Sequence, residues 1–221
     1  MIAAMPRDGV GISVPAMLTV IEGRVLGCLL EKERTTPDQY PLSPNALVLA
    51  CNQSTARDPI MVVEVHDVDA AITSMKTQGL ARLVHPSHGR SVTRYRQVAD
   101  EHFGWSPAQA AVLSVLLLRG PQTTAELRTR TERQHAFSDL EAVETTLGTL
   151  TTMPDGAEPL VVQLERGPGQ KELRWQQLLA EEAEPTARHA SVSLPGAMAD
   201  RVAELEARVA KLEAALADLL D

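Results

Sequence analysis

The side chains best equipped for chemistry in this sequence are four arginines, Arg82, Arg90, Arg94 and Arg96, gathered with His85 and His88 in one short stretch. Guanidinium groups spaced along a β-hairpin can lie against phosphates, each neutralised phosphate adding about 0.9 to the salt dependence of binding. The other reading of these arginines is a solvated hairpin edge that charge protects from strand pairing. His85 and His88 lie across a turn without a carboxylate or thiol partner close in sequence, which is not the donor set of a zinc site. Cys28 and Cys51 are the only cysteines, and two thiols neither complete a structural zinc site nor staple a chain of 221 residues. Both sit in apolar patterns and are read as buried free thiols. The sequence contains no phosphate-cradling glycine loop, nucleophile elbow or zinc-peptidase helix. No catalytic residue, metal or cofactor is therefore expected, and the protein is read as a non-enzyme.

The elements that would carry those arginines come from an internal repeat. Residues 19–30 align with residues 106–117, matching Val25 with Val112, Leu26 with Leu113, Leu29 with Leu116 and Leu30 with Leu117. Both segments have the periodicity of an amphipathic helix with the same buried face. Thr19 with Glu22 and Ser106 with Gln109 have capping-box spacing, and Pro107 stands where a missing N–H costs nothing. A second helix follows in each half, one opening at Ser43-Pro44 with Ala46, Leu47, Ala50 and Cys51 inside. The other opens at Thr123 with Glu126 and keeps Ala125 and Leu127 inside.

Third helices are predicted over residues 67–78 and 139–151, with buried stripes Val68, Ile72, Met75 and Leu140, Val143, Leu147, Leu150, the latter opened by a Ser138–Glu141 capping box. Each leads into a hairpin, residues 80–85 with 93–98 and residues 160–165 with 171–175. Three helices closed by a hairpin, twice over, predict a mainly α fold with small β-hairpins: two tandem winged helix-turn-helix domains over residues 18–99 and 100–179. Residues 1–17 are read as a disordered lead-in and residues 180–197, rich in Glu, Ala, Pro, Ser and Thr, as a flexible linker.

From Met198 the apolar residues Val202, Leu205, Val209, Leu212, Leu216 and Leu219 recur alternately four and three apart, a heptad seam that makes residues 198–221 a coiled-coil helix. Arg201 and Arg208 precede Glu206 and Glu213 by five residues, the offset that joins opposite charges across a parallel pair. A homodimer is expected; the alternative is a terminal helix packed on its own domain.

Four runs, Leu26-Gly27-Cys28-Leu29-Leu30-Glu31-Lys32, Thr35-Thr36-Pro37-Asp38-Gln39-Tyr40-Pro41-Leu42-Ser43, Asn45-Ala46-Leu47 and Ala50-Cys51-Asn52-Gln53, closely resemble the signature of the YceH-like family of bacterial proteins, a domain of unknown function. Arg119-Gly120-Pro121-Gln122-Thr123 with Glu126-Leu127-Arg128 resembles its second signature. The resemblance covers residues 18–179 and implies a tandem winged-helix fold, without supplying a function. The sequence departs from the family pattern at Ser54-Thr55-Ala56-Arg57-Asp58-Pro59, where a more basic, Asn-containing stretch is usual.

Charge weighs on what such a fold would bind. The formal net charge is −8, but residues 19–99 carry +1, residues 100–179 carry −4 and residues 180–221 carry −5. Outward positions on the third helices, Asp69, Thr73, Ser74, Lys76 and Thr77, and then Glu141, Glu144, Thr145 and Thr149, set carboxylates where groove phosphates would lie. Arg128, Arg130 and Arg133 make a smaller basic group, read as surface ion pairs. The leading expectation is a dimeric, transcription-regulator-like DNA-binding protein contacting DNA through Arg82, Arg90, Arg94, Arg96 and Lys76. The runner-up is a protein–protein scaffold, with the polar loop at residues 35–40 as a contact. No apolar run reaches the ~20 residues that a bilayer span needs, so no membrane contact and a cytoplasmic location are expected.

Overall fold

A computed structural model describes residues 17–85, 92–152, 158–167 and 171–182. Among the described residues the chain forms seven α-helices and two antiparallel hairpins: α1 (Val20–Thr35), α2 (Pro44–Cys51), α3 (Val65–Thr77), β1 (Ala81–Val84), β2 (Arg94–Gln97), α4 (Ala99–Phe103), α5 (Pro107–Arg119), α6 (Thr124–Thr131), α7 (Leu140–Thr151), β3 (Val161–Leu164) and β4 (Arg174–Gln177). A short 3-10 turn, Pro37–Gln39, links α1 to α2.

Helix starts follow local chemistry. Thr19, Ser106 and Thr123 each accept from the N–H three residues on, while Glu22, Gln109 and Glu126 reach back to the cap N–H. The last helix corrects the expected Ser138–Glu141 box. Asp139 is the cap, accepting from the Ala142 N–H at 2.8 Å, and Ser138 Oγ donates to its other oxygen at 2.9 Å. A carboxylate outcompetes a hydroxyl there because it satisfies the orphan donors and also faces the positive end of the helix dipole. Leu140, expected inside, is 45% exposed, and Ala125 is exposed as well. Strand β4 starts at Arg174, three residues later than predicted, because its pairing register sets Val161 against Gln177 and Leu164 against Arg174.

The repeat is visible in backbone geometry. Leu42, after α1, exchanges two hydrogen bonds with Tyr95 of β2 at 3.0 and 2.7 Å; Gln122, after α5, does the same with Trp175 of β4 at 3.0 and 2.7 Å. Helices α1 and α5 then pack on each other, so one continuous apolar core runs through both halves. They meet at small residues that the repeat aligns: Ser114 Oγ donates to the Gly27 carbonyl at 3.2 Å. At the C-terminal side, Leu18 N–H donates to Leu179 O at 2.9 Å, and Glu181 N–H to Leu18 O at 2.8 Å. Ala180, assigned to the linker above, is thus buried and tied into the fold.

The connection between α2 and α3, residues 52–64, is long for a helix-turn-helix turn and is held by two buried arginines. The Arg57 side chain is fully buried. It donates to both Glu31 carboxylate oxygens at 3.1 and 2.7 Å, to Gln53 Oε1 at 2.8 Å, to the Ala50 carbonyl at 3.0 Å and to the Ala56 carbonyl at 2.8 Å. Arg24 donates to Pro59 O at 2.6 Å. Turning the chain onto Arg57 puts Ala56 at φ 60°, the only positive φ outside glycine among the described residues. A Cβ in that region costs about 1–2 kcal/mol, more than the entropy that glycine adds to the unfolded chain. Ala56→Gly is therefore expected to stabilise the protein by about 0.5–1 kcal/mol and Ala56→Val to destabilise it, read as opposite shifts of the thermal midpoint.

Candidate nucleic-acid interface

The β1–β2 register decides which way the wing arginines face. Ala81 pairs with Gln97, Arg82 with Arg96, Leu83 with Tyr95 and Val84 with Arg94. Side chains alternate across a strand, so Arg82, Arg94 and Arg96 share the outward face, whereas Ala81, Tyr95 and Gln97 are buried on the other. Two arginines directly opposite each other repel. One of them is answered within the chain: Arg96 Nη2 lies 2.6 Å from Glu101 Oε1 on α4. Arg94 donates to the Pro41 carbonyl at 2.9 Å and stays exposed; Arg82 is exposed and has no ion pair among the described residues. Arg90 and His88 lie outside the described residues, and His85 is exposed at the end of β1.

Tyr95 anchors this hairpin on α3. Its hydroxyl donates to Asp69 Oδ1 at 2.9 Å. Burial, together with that carboxylate, pushes the phenol up to about 12, so it remains a neutral donor. Lys76 is exposed in the last turn of α3. The N-cap and first turns of the helix are acidic, with Glu64, Asp67 and Asp69, and its exposed threonine hydroxyls bond their own helix backbone: Thr73 Oγ1 donates to Asp69 O at 2.8 Å and Thr77 Oγ1 to Thr73 O at 3.3 Å. On α7, Glu141, Glu144, Thr145 and Thr149 are exposed. Neither helix presents a cationic face to a groove.

In the second half Glu126 gathers the basic side chains, lying 2.8 Å from Arg174 and 3.4 Å from Arg130. Burial opposes its ionisation, but the Thr123 N–H and the two guanidinium groups hold its carboxyl below the ordinary range. Arg128 donates to Ser138 O at 2.9 Å. Of Arg128, Arg130 and Arg133, expected to form surface ion pairs, Arg130 does so with Glu126, whereas Arg128 bonds a backbone carbonyl instead. The loop at residues 35–40 works inward: Tyr40 Oη accepts the Gln97 N–H at 2.7 Å, and only its 3-10 turn is exposed.

Cys28 and Cys51 are both buried and unbonded. The contact with Cys28, together with burial, pushes the Cys51 thiol up. The buried role of Arg24 and Arg57 escaped sequence reasoning, because nothing in their spacing separates a buried arginine from a surface one. The residues expected to form a dimerising seam, Val202, Leu205, Val209, Leu212, Leu216 and Leu219, lie outside the described residues. Among the described residues no helix is long and apolar enough to cross a membrane.

A family model described as "Protein of unknown function, DUF480" matches residues 18–170. The chain is 45% identical over 203 residues to a UPF0502 protein of Geobacter sulfurreducens, covering 92% of this chain and 90% of that protein. It is 46% identical over 209 residues to a UPF0502 protein of Shewanella amazonensis, covering 92% and 98%. The UPF0502 protein YceH of Escherichia fergusonii is 43% identical over 209 residues, with 92% and 96% covered.

Proposed function

The chain belongs to the DUF480 family, proteins of unknown function, and on that footing we propose that it is a non-enzymatic, tandem winged-helix protein that contacts DNA phosphates through its β1–β2 hairpin. The observation that carries this reading is the outward strip of Arg82, Arg94 and Arg96, in which two guanidinium groups stand opposite each other and one carboxylate answers them. A phosphate backbone would supply the missing anions. Contacts of this kind position a protein on a duplex without reading its sequence, which suits an α3 whose first turns are acidic. Dimerisation through the heptad seam of residues 198–221 would set two such hairpins on one duplex about one helical turn, ~34 Å, apart.

The test is binding of the full chain to a random-sequence duplex across a salt series. Arg82→Glu with Arg94→Glu is expected to weaken binding at least about tenfold and to reduce the salt slope by about 2. Arg96→Glu, whose charge Glu101 already answers, is expected to act less. No binding to duplex at ~50 mM salt would exclude the proposal. A second reading, a protein–protein scaffold, draws support from the acidic outward face of α7 with Leu140 exposed beside it. One stoichiometric partner recovered regardless of nuclease treatment would favour that reading.

A further inference from the structure

The two halves tie their hairpins down in the same way but differ at one residue. Ser43 and Thr123, the caps of α2 and α6, share a backbone conformation, φ −71° and ψ 161° against φ −74° and ψ 162°. Each accepts on its hydroxyl from the N–H three residues on, at 3.3 and 3.2 Å. Two residues before each cap, the Pro41 carbonyl accepts from Arg94 Nη1 and the Pro121 carbonyl from Arg174 Nη1, both at 2.9 Å. Arg94 and Arg174 hold corresponding places, since each precedes the strand residue that bridges to the segment before the cap, Tyr95 to Leu42 and Trp175 to Gln122.

In the second half this arrangement closes on an anion. Glu126, the third residue of α6, sets one oxygen, Oε2, 2.9 Å from the Thr123 nitrogen and 2.8 Å from Arg174 Nη1. The third residue of α2 is Ala46, which has no carboxylate to offer. The Ser43 N–H accordingly makes no hydrogen bond among the described residues, and Arg94 makes no ion pair among them. Exposure follows the same difference: Thr123 is buried and Arg174 half-buried, whereas Ser43 is half-buried and Arg94 exposed. Both unanswered donors are already held in place, the guanidinium by the Pro41 carbonyl and the amide by its helix, so an arriving anion orders little.

The geometry points to an oxyanion seat formed by the Ser43 N–H and Arg94, taking a phosphate oxygen of a DNA backbone where Glu126 Oε2 stands in the other half. This inference presumes that the β1–β2 hairpin lies on DNA, and it names where one phosphate lands. A backbone phosphate suits the place better than an acidic side chain of a partner protein. Arg82 and Arg96 continue the cationic strip on the same outward face, and a nucleic acid brings a row of anions along it, whereas a carboxylate brings one. Arg82 then contributes charge alone, while Arg94 shares its phosphate with a backbone amide.

The experiment fills the seat from within the full chain. Ala46→Glu should place a carboxylate on the Ser43 N–H and Arg94, as Glu126 does on its own pair, and raise the thermal midpoint above that of the neutral Ala46→Gln. It should weaken binding to a random-sequence duplex at least about tenfold and lower the salt slope by about 1. Leu49→Glu adds the same charge one turn on, at an exposed position, and should weaken binding less than about threefold. If Ala46→Glu binds duplex as well as Leu49→Glu does, the seat is overturned and the hairpin reading stands. If the parent ignores duplex at ~50 mM salt, the hairpin reading fails and inorganic phosphate decides the seat alone. A saturable phosphate shift of the Ser43 amide proton, present in the parent and absent in Ala46→Glu, supports the seat; no shift in the parent overturns it. Glu126→Ala opens the matching pair and should give the Thr123 amide the same phosphate-dependent shift, which serves where Ala46→Glu does not fold. An Ala46→Glu midpoint no higher than that of Ala46→Gln would show that the two donors do not converge on one anion, and would overturn the proposal.

Discussion

Arg57→Met is expected to destabilise the protein by about 3–5 kcal/mol, measured as a fall in the urea midpoint at unchanged slope. The substitution removes five donated hydrogen bonds from a fully buried side chain, and it strands the Glu31 carboxylate, whose side chain is only 14% exposed. Lys32, 3.3 Å from Glu31, is a poor substitute, since a single ammonium cannot match the guanidinium fork. For the same reason Arg57→Lys should recover only part of the loss. Removing both partners is the discriminating experiment: the Glu31→Leu, Arg57→Met double variant should be markedly more stable than Arg57→Met alone, because no charge is left buried without its partner. The acid limb carries a second signature. Burial opposes ionisation of Glu31, but the hydrogen bonds and charge of Arg57, helped by Lys32, more than offset it and hold the carboxyl below its ordinary value. A group depressed on folding contributes stability that is present above its unfolded pKa, about 4.3, and is lost as pH falls through the folded value. The parent chain should lose that contribution on acidification from about pH 5 downward, and Arg57→Met should show a flatter acid limb. A parent-like acid limb in Arg57→Met would show that the pair is not an ion pair in solution.

Gly27→Val is expected to cost about 3 kcal/mol, for a reason that makes the smaller Gly27→Ala more telling. In an exposed helix Gly→Ala stabilises by about 1 kcal/mol through helix propensity. Here a Cβ at position 27 would stand 2.9 Å from Leu118 Cγ and 3.1 Å from Leu117 Cβ, and Leu118 is itself 2% exposed. Those atoms sit near the α5 backbone and cannot swing away, so Gly27→Ala is expected to destabilise, with Leu118→Ala recovering part of the loss in a double-mutant cycle. A stabilised Gly27→Ala would mean that α1 and α5 are not in contact in solution. Gly23 is constrained in the same way, with the Ala180 Cβ 2.6 Å from the position its own Cβ would take. The C-terminal tie therefore depends on a glycine on α1.

Both predictions concern features that the pattern of apolar residues does not encode. The hydrophobic period placed α1, α2, α3, α5, α6 and α7 and found the repeat, because amphipathic spacing and capping boxes are local properties of consecutive residues. The same locality explains the errors. Ser138 and Asp139 are both competent caps, and their order in the helix depends on which acceptor meets the amides. The β4 register is set by a partner strand, and Leu140 heads an apolar stripe without any core opposite its first turn.

Along one chain, then, the amino acids determined the helices, their caps, the duplicated order of three helices and a hairpin, and the arginines spaced to form a strip. Tertiary structure decided what those elements touch. It turned Arg82, Arg94 and Arg96 to one face while giving Arg96 to Glu101, it buried Arg57 and Arg24 in a turn that reads as ordinary surface, and it brought Gly27 to Ser114 across the repeat. It also left the side chains of Ile60 and Val62 exposed. A residue's periodicity follows from its near neighbours in sequence, but its burial and its ion-pair partner depend on residues tens of positions away, and no local pattern reports those.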